Sequence, residues 1–227
     1  MIRVANSEIP ALTGVRALAS WWVVFYHLQP ALLTLTPSLA PWLGGLARGG
    51  DKGVDLFFIL SGFVLSLNYN DRFRRPELKS YGRFLWLRLA RIYPVHLAGL
   101  AVWGAFLVIN VLVRHADTRG EYFGVCSLIA NLFLVQAWWI PMKMSWNYPA
   151  WSISLEWLAY LCFPLFIRKV AGLRNIVATV GLPIALLCMT GPLVVRYPDA
   201  GSLLRICGEF VTPACHITRR AAISTIS

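Results

Sequence analysis

The stretch Leu12–Leu35, LTGVRALASWWVVFYHLQPALLTL, decides the fold. A helix needs about 20 mostly apolar residues to cross the hydrocarbon layer of a bilayer, and this run supplies them with Arg16 and His27 inside it. A charge or an unpaired imidazole at that depth costs about 2.5 kcal/mol or more and is seldom kept without a use. The step from Arg16 to His27 is close to three helical turns, so both side chains stand on one face, roughly 16 Å apart along the axis. One face can therefore serve two chemical positions at different membrane depths.

Four further stretches come near spanning length: Gly53 to Tyr69, Ile92 to Val113, Pro149 to Ile167 and Ile176 to Val195. A shorter run, Gly124 to Ile140, reads either as a span or as a re-entrant segment, and Ser202 to Val211 opens a span without completing it. The expected fold class is all-α, a polytopic integral membrane helix bundle of about five to six spans. Between the second and third spans lies a basic loop, Asp71 to Arg91, with Arg72, Arg74, Arg75, Lys79, Arg83, Arg88 and Arg91. Such a concentration puts the loop on the cytoplasmic side and, with it, the N-terminus. Arg16 then lies near the inner face and His27 a little beyond the midplane. A full span at Gly124 to Ile140 would place Arg168, Lys169 and Arg174 outside, against the same rule.

Composition agrees. With 58% apolar residues, 14% charged and a mean hydropathy of +0.62, the chain is too apolar for an ordinary soluble domain. The net charge of +11 collects in short loops, which argues against nucleic acid and for anionic head groups or a phosphorylated substrate. Cys126, Cys162, Cys188, Cys207 and Cys215 form no CxxC pair, so neither a metal site nor a disulfide frame is expected. The first apolar stretch is too long for a signal peptide and stays in the mature protein as a span.

Four blocks carry a resemblance. They are Ile9 to Ala19 running on to Phe25-Tyr26-His27-Leu28, then Gly53-Val54-Asp55-Leu56-Phe57-Phe58-Ile59-Leu60-Ser61-Gly62-Phe63, then Phe84 to Pro94, and last Trp151-Ser152-Ile153-Ser154-Leu155-Glu156-Trp157. In that order they resemble the acyltransferase 3 family of bacterial inner-membrane proteins, which modify glycans and other surface molecules. The resemblance implies transfer of an acyl group, often acetyl, from acyl-coenzyme A to a hydroxyl of a glycan or other cell-surface acceptor. It matches His27 to the family's essential histidine, Arg16 to that residue's partner, and Arg88 with Arg91 to a cytoplasmic RxxR pair.

Acyl transfer to a hydroxyl needs a proton acceptor that works near neutral pH, and imidazole is the usual one. A carboxylate on its other ring nitrogen would fix the tautomer, and Asp55 and Glu156 are equal candidates for it. Arginine's planar fork suits phosphate, so Arg88 and Arg91, at i and i+3, are expected to present two forks on one side to the donor phosphates, with Arg16 guiding the arm. The plainer alternatives are a packing histidine, arginines placed by topology, and Ser61-Gly62 as a site of close helix contact. Two other functions stay open: a small transporter or channel with a polar path through Arg16, His27, Asp55 and Glu156, and an inactive fragment. The last follows from length, because the family usually has about ten spans. Residues 1–211 are expected to form the acyltransferase membrane domain, and residues 212–227, with Pro213, His216, Arg219 and Arg220, a foreign, out-of-frame tail.

Overall fold

The computed structural model describes residues 10–39, 45, 49–73, 77–114, 123–138, 146–172 and 208–209. Among the described residues the regular elements are helical: α1 (Pro10–Leu35), α2 (Asp51–Phe73), α3 (Leu78–Arg114), α4 (Val125–Leu132) and α5 (Trp151–Gly172), with short 3-10 turns at Pro37–Leu39 and Tyr148–Ala150. The expected span Ile176 to Val195 and the tail 212–227 lie outside the described residues, as does nearly all of Ser202 to Val211. The described residues fall into two compact units. One holds α1, α2 and the C-terminal end of α5; the other holds α3, α4 and most of α5.

Helix α1 runs unbroken through Pro30. Proline cannot donate to the carbonyl one turn back, yet the next turns close firmly. Thr34 Oγ1 donates to the Pro30 carbonyl at 2.8 Å, and Thr36 caps the end through Oγ1 and N to the Leu32 carbonyl at 2.7 and 2.8 Å. Pro37 then stops the helix, because the residue before a proline is pushed out of the helical region.

The basic segment expected as a loop is mostly helix. Helix α2 extends to Phe73 and α3 begins at Leu78, so Lys79, Arg83, Arg88 and Arg91 ride on the same rod as the apolar run 92–113. Arginine, leucine and alanine are all strong helix formers, and the helix continues through Pro94 where the two halves meet. At 37 residues α3 is about 55 Å long, well beyond a 30 Å hydrocarbon layer.

Among the described residues two helices are long and apolar enough to cross a membrane, Lys52–Tyr69 and Leu78–Val113. A buried core helix of a soluble protein would also pass on composition, but the apolar window within α3 is only 11% buried. Val102, Phe106, Ile109, Leu112 and Val113 stand exposed along it, an apolar surface suited to lipid and costly in water.

Among its described residues, 124–138, the ambiguous run Gly124 to Ile140 holds one helix, α4. Its eight residues rise about 12 Å, too little to cross as one helix. It ends in a Schellman turn, with Val135 N donating to the Ala130 carbonyl and Leu134 N to the Asn131 carbonyl, at 2.9 and 3.0 Å. Leu134 occupies the left-handed position at φ 58°, where glycine is usual. Its side chain is buried, which offsets a backbone cost of about 1 kcal/mol. The chain after this turn is pinned to the start of α5. Ser154 Oγ donates to the Leu134 carbonyl at 2.8 Å and accepts from Ala137 N, while Gln136 Nε2 and Trp138 Nε1 donate to the carbonyls of Ala150 and Ser154.

Candidate active site

In the first unit α1 and α2 pack antiparallel, and they come close at Gly53. A Cβ there would lie 2.8 Å from Val23 Cγ2 and 2.9 Å from the Ala19 carbonyl oxygen. Small residues at such a crossing let two backbones come together in an apolar medium. The register then carries the buried Ser61 toward Arg16, whose Nη2 donates to Ser61 Oγ at 3.3 Å. Arg16 is half-buried, and its guanidinium is fixed to the neighbouring helix rather than turned to solvent.

His27 shares the face of Arg16, as the spacing requires, but it is exposed. Helix α2 starts at Asp51, near the level of Val23, so its described residues end before they reach the imidazole. The His27 ring meets the Tyr26 ring edge-on at 5.2 Å. Asp55 does not sit beside it. Gly53 rests on Ala19 and Val23, and the rise from Ala19 to His27 is roughly 12 Å. The Asp55 carboxylate instead faces Lys52 of its own helix, at 3.9 Å.

The second unit gathers Arg88 and Glu156 around one tyrosine. Phe84, Tyr160 and Phe163 form an aromatic cluster, with Phe84 stacked on Phe163 at 5.7 Å and edge-on to Tyr160 at 6.1 Å. The Arg88 guanidinium lies over Phe84 at 5.7 Å and over Tyr160 at 5.9 Å. On α5 the Tyr160 hydroxyl donates to the Glu156 carboxylate one turn away. Arg91 is exposed while Arg88 is half-buried, so the two forks are not presented alike. The i and i+3 positions differ by about 60° around a helix, enough here to put one arginine on the aromatic cluster and leave the other outside.

Three residues of these surroundings were not singled out as functional from sequence. Ser61 was read only as a packing residue, although a hydroxyl in an apolar helix usually finds a polar partner. Tyr160 gave no separate signal. His96 did, since it stands in the apolar run 92–113 as His27 stands in the first. It is fully buried, and its Nε2 lies 2.8 Å from the Asn131 carbonyl. That nitrogen therefore carries the proton, which leaves Nδ1 as an acceptor with no hydrogen-bond partner among the described residues.

The chain matches the model of the acyltransferase domain, Acyl_transf_3, over residues 9–206. It is 30% identical to the acyltransferase MdmB of Streptomyces mycarofaciens over 188 residues, covering 80% of this chain and 46% of that protein. It is 26% identical to the peptidoglycan O-acetyltransferase OatA of Listeria monocytogenes over 178 residues, 73% of this chain and 25% of that protein. The chain thus spans about half the length of the first relative and a quarter of the second. No solved structure matches.

Proposed function

Because this chain belongs to the acyltransferase family whose domain model covers residues 9–206, we propose that it is an integral membrane O-acyltransferase. It moves an acyl group, acetyl in the first instance, from coenzyme A to a hydroxyl of a glycan or other cell-surface acceptor. On this reading the bilayer is the bacterial inner membrane, and the basic residues around Arg88 support a cytoplasmic N-terminus.

The observation that carries this reading is the pairing on α1. Arg16 is anchored to Ser61 on α2, and His27 stands on the same face, accessible to a substrate. The His27 imidazole takes the proton of the acceptor hydroxyl as its oxygen attacks the thioester carbonyl. The carbon–sulfur bond then breaks, and the imidazolium returns the proton to the departing thiolate. Arg16, Arg88 and Arg91 hold the phosphate-bearing donor, because guanidinium N–H groups match phosphate oxygens in pairs. For the carboxylate that orients His27, Asp55 is the candidate on the same unit. Its pairing with Lys52 and its level near Ala19 require it to act through a bridging group. Glu156, the other candidate, accepts a hydrogen bond from the Tyr160 hydroxyl.

The test is acceptor acylation in membranes at equal protein level. His27→Ala should lower the rate by about 10²- to 10⁴-fold, the usual worth of a general base. Unaltered transfer in His27→Ala and Arg16→Ala would defeat the assignment.

A further inference from the structure

We infer that Tyr160 is a positioning residue for the donor, acting through Arg88, and that Glu156 serves by tethering Tyr160. The inference rests on the reading that Arg88 grips the donor phosphates. A guanidinium over an aromatic face is attracted by the ring quadrupole, which restricts where the arginine can lie. Two rings supply such faces here, with the Arg88 guanidinium carbon 5.7 Å from the Phe84 centroid and 5.9 Å from that of Tyr160. Phe84 comes from the same helix as Arg88, one turn earlier, so it follows any movement of α3. Tyr160 comes from α5 and is the part that refers the arginine to a second helix.

A stacking ring that can slide does not fix what lies on it. Tyr160 is 3% exposed, edge-on to Phe84 with an interplanar angle of 81°, and its hydroxyl is bound to the Glu156 carboxylate. Packing thus holds the ring plane, and the carboxylate holds its far end. A charged acceptor makes that hydrogen bond stronger than a neutral one would. Glu156 accordingly steadies the ring that supports the arginine. Loss of this support should weaken donor binding and leave the chemical step alone.

The measurement is equilibrium binding of radiolabelled acetyl-coenzyme A to the full chain in lipid nanodiscs, with thermal unfolding followed in the same particles. Arg88→Ala should raise Kd about tenfold. Tyr160→Leu removes the ring and should raise it about fivefold, and Tyr160→Phe, which keeps the ring but loses the tether, about twofold. In the Arg88→Ala background both Tyr160 substitutions should then add nothing, because a residue that acts only through another is silent once that other is gone. Glu156→Gln, still an acceptor for the hydroxyl, should bind within about twofold of the parent.

Losses that multiply in the double variants would show that Tyr160 affects binding independently of Arg88, and would overturn the inference. So would unchanged binding in Tyr160→Leu. If Glu156→Gln abolishes transfer while binding stays normal, the carboxylate belongs to the chemistry and its tethering role is refuted. Failure of the underlying reading looks different: Arg88→Ala alone would then bind as the parent does, and the inference would fall with it.

Discussion

The close contact between α1 and α2 offers the sharpest test of the fold, through Gly53→Ala. The added methyl would lie 2.8 Å from Val23 Cγ2 and 2.9 Å from the Ala19 carbonyl oxygen. The oxygen belongs to helical backbone and cannot step aside, and valine has one strongly preferred rotamer in a helix. Relief must come from spreading the helices, at an overpacking cost of about 1–3 kcal/mol. Against this, alanine is the better helix former by about 0.5–1 kcal/mol. The expected net loss is therefore about 1–2 kcal/mol. Gly14 on α1 and Gly82 on α3 provide the control, since a Cβ at either meets nothing within 4 Å. Gly14→Ala and Gly82→Ala should keep the propensity gain without the clash, and stabilise by about 0.5–1 kcal/mol. Unfolding in mixed micelles, titrated with a denaturing detergent and followed by helical circular dichroism, reads all three. If Gly53→Ala is as stable as the controls, the α1–α2 register is wrong, and with it the pairing of Arg16 with Ser61.

Ser61→Ala should cost about 1.5 kcal/mol in the same assay, the low end for a hydrogen bond to a charged group, given its 3.3 Å length. His27→Ala should leave unfolding unchanged within about 0.5 kcal/mol, because the imidazole is exposed, and a larger shift would mark it as a packing residue. His96→Leu should cost less than His96→Ala. The Asn131 carbonyl keeps the Leu134 N–H at 3.0 Å in both, while only alanine leaves a cavity worth about 2 kcal/mol or more. Leu134→Gly removes the left-handed strain of about 1 kcal/mol but empties a buried leucine site, and should destabilise by about 1–3 kcal/mol in thermal unfolding.

The sequence discloses much of this molecule because bilayer and helix impose simple rules. Apolar length located α1, α2 and the apolar half of α3, and the resemblance to acyltransferases rested on short blocks that the domain match over residues 9–206 spans. What stayed hidden depended on register and on local stops. The end of α4 carries Leu134 where a glycine would have announced it, so the run Gly124 to Ile140 gave no length. The basic segment before residue 92 looked like a loop because charge was read as topology, whereas arginine is as content in a helix as leucine. Asp55 seemed able to meet His27 because antiparallel packing alone leaves the vertical offset free. Only the contact at Gly53 sets that offset. The hydrogen bond from Tyr160 to Glu156 gave no signal in the sequence, since Tyr160 is one helical turn away in a stretch rich in aromatic residues.

The thin burial of α3 bears on how freely its sequence can drift. Within its apolar window 11% of the helix is buried, against 39% for the window in α2. A lipid-facing position asks for hydrocarbon and helix propensity but for no particular shape, so Val102, Ile109 and Leu112 can exchange among valine, isoleucine, leucine and phenylalanine at little cost. Positions such as Gly53 and Ser61 tolerate change less well, since the neighbouring helix limits size at one and a polar partner is met at the other. Saturation mutagenesis should therefore return two helices of similar hydrophobicity and opposite tolerance, one constrained by its neighbour and the other almost by its solvent alone.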